Sequence, residues 1–240
     1  MINIIEKATK ILYPRRCAVC DELLTDKVKG IHPECAGVFD YVTDPRCFKC
    51  GKRLENSDKE LCYDCTADPK SFERGVALYN YRSVEESIMS FKNGGRQEYS
   101  DFFADEIYAH LGDTLASFRA EAIIPIPLHI SKFRSRGYNQ SELLAKRLSK
   151  HLSIPLRDDI LLRTKSNEVQ KKLSYSERQN NIKKAFHIAQ NDVKLKTVIL
   201  VDDVYTTGAT INAATEVLKA HGVARVYFVT LAIGNGKTGV

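Results

Sequence analysis

Val198-Ile-Leu-Val-Asp-Asp-Val-Tyr-Thr-Thr-Gly-Ala-Thr210 starts as an apolar run, passes through two adjacent carboxylates, and turns on Thr-Thr-Gly into a helical pattern. A short Thr/Gly turn at a helix start presents backbone N–H groups, hydroxyls and the positive end of the helix dipole, which suit a phosphate dianion. Gly208 lets the backbone approach closely. Asp202 and Asp203 would repel that phosphate, so their chemistry points to a neighbouring polyol whose hydroxyls they accept. A sugar phosphate meets both demands, with the sugar at the acids and the phosphate over Thr206, Thr207, Gly208, Ala209 and Thr210. Taken alone, Asp-Asp reads as an exposed acid beside a helix cap; the whole strand–acid–turn–helix string is more specific. It lacks the Gly-Lys-Ser/Thr of a nucleotide P-loop, so a kinase or ATPase is not indicated.

Outward from this run, apolar patterning alternates between strand and helix. Strands are expected at Val76–Tyr81, Ala122–Ile126, Thr197–Val201 and Ala224–Ile233. Helices are expected at Val84–Lys92, across 98–118, at Ser141–Leu152 and at Ile211–His221, the last stopped by Gly222. This alternation predicts an α/β fold with a mainly parallel sheet, whose ligands bind at the carboxyl ends of the strands. The tail Gly234–Val240 is expected to fray.

All seven cysteines fall between residues 17 and 65. Cys17, Cys20, His32 and Cys35 recur thirty residues later as Cys47, Cys50, Cys62 and Cys65. The segment is thus a two-fold repeat of C-x2-C-x11-[H/C]-x2-C, and the repeat assigns His32 the slot that Cys62 fills. Paired ligands two residues apart on tight turns complete a tetrahedron around Zn²⁺. Disulfides suit an odd cysteine count poorly. Sequential pairing, one ion per unit, is the simpler arrangement; a crossed one remains open. Four protein ligands leave no position for water, so two structural zinc ions are expected. Asp68-Pro69-Lys70-Ser71 marks a boundary between an N-terminal helix and double zinc ribbon (1–69) and an α/β domain (70–240).

Of the 240 residues, 43% are hydrophobic and 28% charged, an ordinary globular mix. No apolar window is long enough for a membrane span, so no membrane insertion is expected. Glu6, Lys7 and Lys10 interrupt the first turns, which read as a short amphipathic helix through Ile5, Ala8 and Leu12, not as a signal peptide; a cytoplasmic protein is expected. The formal net charge is +6. Residues 1–70 are balanced, 129–184 carry fourteen Lys/Arg against five Asp/Glu, and the rest is mildly acidic. Such a basic stretch suits a polyphosphate or a nucleic acid, or is a solvated face.

Residues 198–210 resemble the phosphoribosyl-pyrophosphate (PRPP) loop of type I phosphoribosyltransferases. The paired CxxC repeats, Lys92-Asn-Gly-Gly-Arg96, Pro125-Ile-Pro-Leu-His129, Arg134-Ser-Arg-Gly-Tyr-Asn-Gln140, and Gln170 through Arg178-Gln-Asn-Asn181 to Ala185-Phe186 resemble one branch, the ComF family of bacterial competence proteins. That family usually has Cys at the position of His32, a mild change because His also binds zinc. The resemblance implies the type I phosphoribosyltransferase fold. It implies PRPP at Asp202, Asp203 and Thr206–Thr210, with Mg²⁺ entering as the PRPP complex. It implies pyrophosphate, or a phosphate backbone, at the loop carrying His129, Lys132, Arg134 and Arg136. It also implies a flexible loop over about 165–184 that closes on PRPP, with Arg178 the candidate catalytic cation.

Two functions are compatible with these residues. One is a competence-type protein that handles incoming single-stranded DNA beside a helicase of the ComFA type, with a PRPP site. Its basic stretch would follow the DNA backbone and Phe133, Tyr138 and Tyr175 would offer stacking faces. The other is an active phosphoribosyltransferase passing ribosyl-5-phosphate from PRPP to an acceptor with release of pyrophosphate.

Overall fold

Four apolar runs pair in the order β1-β6-β5-β2 into one parallel sheet. They are β1 (Arg74–Asn80), β2 (Ala122–Pro125), β5 (Thr197–Tyr205) and β6 (Arg225–Ile233). This computed structural model describes residues 14–25, 28–164, 185–189 and 194–234. The expected N-terminal helix, the loop 165–184 and all but Gly234 of the tail lie outside the described residues. A second, antiparallel ribbon joins β3 (Leu161–Arg163) to β4 (Phe186–Ile188), a pairing the sequence reading did not anticipate.

Helices α1 (Tyr63–Ala67), α2 (Tyr81–Asn93), α3 (Tyr99–Ser117), α4 (Ile130–Arg136), α5 (Gln140–Leu152) and α6 (Ala209–Ala220) complete the regular structure, with a 3-10 turn at Pro33–Cys35. The expected α/β class and parallel sheet are observed. Among the described residues no helix is long and apolar enough to cross a membrane.

Parallel sheets are buried on both faces, and alternating side chains feed two cores. On one face Ala77, Ile124, Leu200 and Phe228 meet Ile211, Ala214 and Leu218 of α6, together with Cys47, Cys50, Cys62 and Cys65. On the other, Val76, Leu78, Ile199, Val201 and Leu231 meet Ile88, Phe91, Phe103, Ile107 and Leu144 of α2, α3 and α5, together with Ala18 and Phe39. The second cysteine unit therefore packs on the α6 face and the first on the α3 face.

The thirty-residue repeat is visible in the backbone. Cys17 N–H donates to Glu22 O at 2.8 Å, and Cys47 N–H to Lys52 O at 2.7 Å. Bridges Arg16–Leu23 and Arg46–Arg53 close the two knuckles at equivalent positions. Both turns need a residue of positive φ: Asp21 at 58° and Gly51 at 77°. Each knuckle docks differently. Arg96 grips Asp21 with two hydrogen bonds of 2.7 and 2.8 Å, and Tyr99 adds a third at 2.5 Å. Gly51 lies against bare backbone, where a Cβ would meet Gly75 O at 2.8 Å. Between the units, residue 41 forms an antiparallel bridge with Tyr79 and covers the outer edge of β1.

Three boundaries differ from the sequence reading. Tyr81 opens α2 and does not end β1. Strand β5 runs four residues beyond Val201, because pairing with β6 persists to Tyr205–Ile233. The acidic pair therefore lies within the strand and not after it. The segment after His129 is a short helix, not a loop.

Candidate functional site

Strand β5 carries both acids to the carboxyl edge of the sheet and three residues separate its end from α6, so the turn is Thr206-Thr207-Gly208. Gly208 has φ 77° and caps α6. Thr207 Oγ1 accepts from Ala209 N–H at 3.4 Å, and Asn212 N–H donates to Gly208 O at 2.8 Å. Thr206 and Thr207 are exposed. The structure thus brings Asp202, Asp203 and 206–210 together on one edge.

Asp203 is paired. Lys92 Nζ, from the last turn of α2, lies 2.9 Å from its Oδ1, with side chains only 19% and 13% exposed. Asp202 is held by neutral donors: Ser141 Oγ–H and Asp203 N–H each reach Asp202 Oδ1 at 2.9 Å. Burial is the main cause that pushes the Asp202 carboxyl up to about 7, and the adjacent Asp203 charge adds to it. The Ser141 and Asp203 donors and Lys92 oppose that rise.

Lys92 belongs to a chain of contacts. Its carbonyl accepts from Gln140 Nε2 at 3.2 Å, and Gln140 Oε1 accepts from Arg136 Nη1 at 2.9 Å. The run 134–140 owes its residue types to this geometry. Gly137 takes φ 81° to end α4, and Asn139 caps α5 while donating to Ile126 O at 3.0 Å. Tyr138 donates to Phe91 O and is 7% exposed, so it is not the stacking face expected of it.

Four cationic candidates follow β2. His129 caps α4: its Nδ1 accepts from Ser131 N–H at 3.2 Å and lies 2.8 Å from Ser131 Oγ. Its ring is therefore engaged by the fold. Lys132 is half-buried, Arg134 is exposed, and Arg136 turns inward to Gln140. Phe133 is 42% exposed. Arg178 and Tyr175 lie outside the described residues.

Lys92, Ser141 and Arg163 were not singled out as site residues from sequence. Arg163 ends β3 with its guanidinium 5.3 Å from the Phe186 ring centroid, within electrostatic reach of Asp202. Its buried Nε has no hydrogen-bond partner among the described residues, and burial lowers its pKa. Lys92 and Ser141 lie 111 and 61 residues from the acids they touch, and no local pattern marks such a contact.

The eight expected metal ligands gather as two sets, Cys17-Cys20-His32-Cys35 and Cys47-Cys50-Cys62-Cys65. Within each set the ligand atoms lie within 4.8 Å of one another. Zn–S arms of about 2.3 Å in a tetrahedron imply edges of about 3.8 Å. Cys50 Sγ and Cys62 Sγ are 3.7 Å apart, and Cys20 Sγ and His32 Nδ1 are 3.4 Å apart. His32 Nε2 lies 3.1 Å from Leu23 O, which fixes Nδ1 as the ligand atom, the usual outer support of a metal-binding imidazole. The residues fit structural zinc, paired sequentially. Zinc here supplies cross-linking alone, because each set is complete without water. The units differ in access: Cys20 is exposed, whereas all four cysteines of the second set are buried.

Comparisons with known proteins agree with this architecture. The double zinc ribbon domain profile matches residues 8–66, and the phosphoribosyl transferase domain profile matches residues 139–240. Competence protein F of Haemophilus influenzae is 32% identical over 218 residues, covering 88% of this chain and 93% of its own. DNA utilization protein YhgH of Salmonella typhimurium is 32% identical over 224 residues, covering 90% and 96%. Competence protein ComFC of Bacillus subtilis is 28% identical over 226 residues, covering 87% and 90%. Among solved structures, a purine phosphoribosyltransferase from Pyrococcus horikoshii aligns at 21% identity and a TM-score of 0.37, over 55% of this chain and 73% of that one.

Proposed function

This chain belongs to the ComF family of competence and DNA-utilization proteins, and from that membership we propose that it handles incoming single-stranded DNA in natural transformation and carries a working PRPP site. The observation that carries the site is the pair Asp202–Asp203 on β5, two residues before the 206–210 turn. Carboxylates there are a liability for a surface that binds only a phosphate backbone. They suit the ribose hydroxyls of PRPP, with its 5′-phosphate on the N–H groups of Gly208, Ala209 and Thr210 and on the Thr hydroxyls. Lys92 holds Asp203 in its accepting orientation. Mg²⁺ enters with PRPP and neutralises part of its charge.

The pyrophosphate end, or a DNA phosphate, is assigned to Lys132, Arg134 and Arg136, with His129 shaping the start of their helix. Arg178, if carried to the site by residues 165–184, adds a further cation. Residues 1–69 form the zinc-bearing unit and 70–240 the PRPP-binding unit. A helicase of the ComFA type is the protein partner in this reading, and the cytoplasm is its setting.

A second reading, an active transferase passing ribosyl-5-phosphate to an acceptor, is favoured by the fixed acids: Ser141 and Asp203 N–H hold Asp202, and Lys92 holds Asp203, as acceptors for the ribose. The C1–O bond to pyrophosphate would break as the acceptor forms the new C1 bond, and the acceptor's proton would leave with pyrophosphate.

The test of the primary reading is calorimetric titration with Mg·PRPP, repeated with single-stranded DNA present. Wild type is expected to bind PRPP, and Asp202→Asn/Asp203→Asn to lose that binding while keeping its fold and zinc. Equal binding by the double variant overturns the ribose assignment. Pyrophosphate release during the same titration favours the transferase reading.

A further inference from the structure

We infer that Tyr205 is a positioning residue through which the second metal unit, and not the first, sets the shape of the phosphate turn. The inference rests on the PRPP reading above and deepens it. Tyr205 is the last residue of β5, 3% exposed, and immediately precedes Thr206. Its ring lies under the turn. A Cβ built on Gly208 would stand 2.2 Å from Tyr205 Oη, 2.6 Å from Cζ and 2.9 Å from Cε2. The turn thus rests on the phenol ring, and only glycine allows that approach.

The ring is itself part of an aromatic cluster. Tyr205 stacks on Phe228 at 5.0 Å with an interplanar angle of 2°, and Phe72 meets both rings edge-on, at 6.3 Å from Tyr205 and 4.9 Å from Phe228. These three aromatics share one continuous core with Cys47, Cys50, Cys62 and Cys65. Lys49, within the Cys47–Cys50 knuckle, places Nζ 5.4 Å from the Phe72 ring centroid, and its backbone carbonyl accepts from Gly75 N–H at 2.8 Å. Gly75 in turn has no room for a side chain, because Phe228 fills the space.

The segment leaving the second unit also holds the helix that the turn begins. Ser71 N–H donates to Asn212 Oδ1 at 2.6 Å, and Asn212 N–H donates to Gly208 O. Glu73 takes Lys219 Nζ at 2.7 Å at the far end of α6. Packed cores transmit displacement because they contain little free volume. Loosening the second unit therefore shifts Tyr205 and α6 together, and the N–H groups of the turn with them. The first unit packs in the core of the opposite face, through Ala18 and Phe39, and docks by Asp21 on Arg96, away from Tyr205. The arrangement makes the second metal unit the support of the phosphate turn through Tyr205.

The experiment compares full-length Tyr205→Leu, Tyr205→Phe, Cys62→Ser and Cys20→Ser with wild type. Zinc content, PRPP affinity, and hydrogen exchange of residues 206–210 relative to 213–218 are measured in each. Tyr205→Leu is expected to retain both zinc ions and weaken PRPP binding about tenfold to a hundredfold, as a small misplacement of binding groups does. Tyr205→Phe, which keeps the ring under Gly208, is expected to restore binding to about threefold of wild type. Cys62→Ser should match Tyr205→Leu, and Cys20→Ser should weaken PRPP binding less than Cys62→Ser does. Wild-type affinity in Tyr205→Leu, or equal effects of the two cysteine variants, overturns the inference. If Cys62→Ser does not fold, the Tyr205 variants decide it. If wild type itself does not bind PRPP, the PRPP reading fails; faster exchange of 206–210 in Tyr205→Leu but not in Tyr205→Phe or Cys20→Ser then sustains the positioning role, and unchanged exchange removes it.

Discussion

Lys92 Nζ and Asp203 Oδ1 form a 2.9 Å ion pair that ties the end of α2 to the acidic strand β5, with little of either side chain exposed. Adjacent carboxylates repel, and the pair leaves one charge compensated and the other, Asp202, to share a proton with its surroundings near neutral pH. Breaking a shielded pair from one side strands a charge, which is worse than removing both partners.

Lys92→Met is accordingly expected to lower stability by about 2 kcal/mol, with the lost partner leaving Asp203 uncompensated. Lys92→Met/Asp203→Asn should recover part of that loss. Urea denaturation of the two single variants and the double variant measures the coupling, and strict additivity would show that the pair contributes nothing.

The raised Asp202 pKa predicts a pH effect of definite sign. An aspartate held near 7 in the fold and at its ordinary lower value when unfolded binds more protons in the folded state between those limits. Its contribution is most favourable below the unfolded pKa and is lost as pH rises through about 7. The apparent melting temperature of the unliganded protein should therefore fall less steeply from pH 5 to pH 8 in Asp202→Asn than in wild type. Identical slopes in the two proteins would remove Asp202 as the titrating group.

His32 sets a metal prediction. His32→Cys supplies a thiolate at the same node and should keep two zinc ions per chain, whereas His32→Ala should lower the content to about one, because three ligands hold structural zinc poorly. Metal analysis of the purified variants checks this. Two ions in His32→Ala would show that the imidazole is not a ligand.

Gly51 and Asp21 occupy equivalent places in the repeat yet should lose stability for different reasons when substituted. Gly51→Ala forces a Cβ against Gly75 O at a positive φ and is expected to cost about 1–3 kcal/mol. Asp21→Gly relieves a left-handed side chain but deletes the partners of Arg96 and Tyr99. Its loss should be smaller than that of Asp21→Ala, which keeps the backbone strain and loses the same contacts. Thermal denaturation of the three variants orders them.

If the basic stretch follows a DNA backbone, binding of single-stranded DNA should weaken steeply with salt. Arg134→Ala, at an exposed site on α4, should reduce the salt slope by about one without changing stability. Arg136→Ala should reduce both binding and stability, because Arg136 also holds Gln140. Salt-independent binding by wild type would remove the backbone-following role.

The periodicities and spacings of the chain were sufficient for the two cysteine units, the alternation of strand and helix, and the Thr/Gly turn that follows the acids of β5. Each is a local pattern: ligands two residues apart, apolar residues at a strand or helix period, and a Thr/Gly turn at a helix start all act within one segment. The sequence favoured sequential pairing of His32 and the cysteines but left a crossed one open, and the structure gathers them sequentially. What tertiary packing alone decided is which distant groups meet. Ser141 reaches Asp202, Lys92 neutralises Asp203, Tyr138 is spent on the Phe91 carbonyl, and the second cysteine unit sits on the α6 face in one core with Tyr205. These contacts depend on how the helices and zinc units lie against the two faces of the sheet. That arrangement is set by the summed burial of many side chains, which no single stretch of residues records.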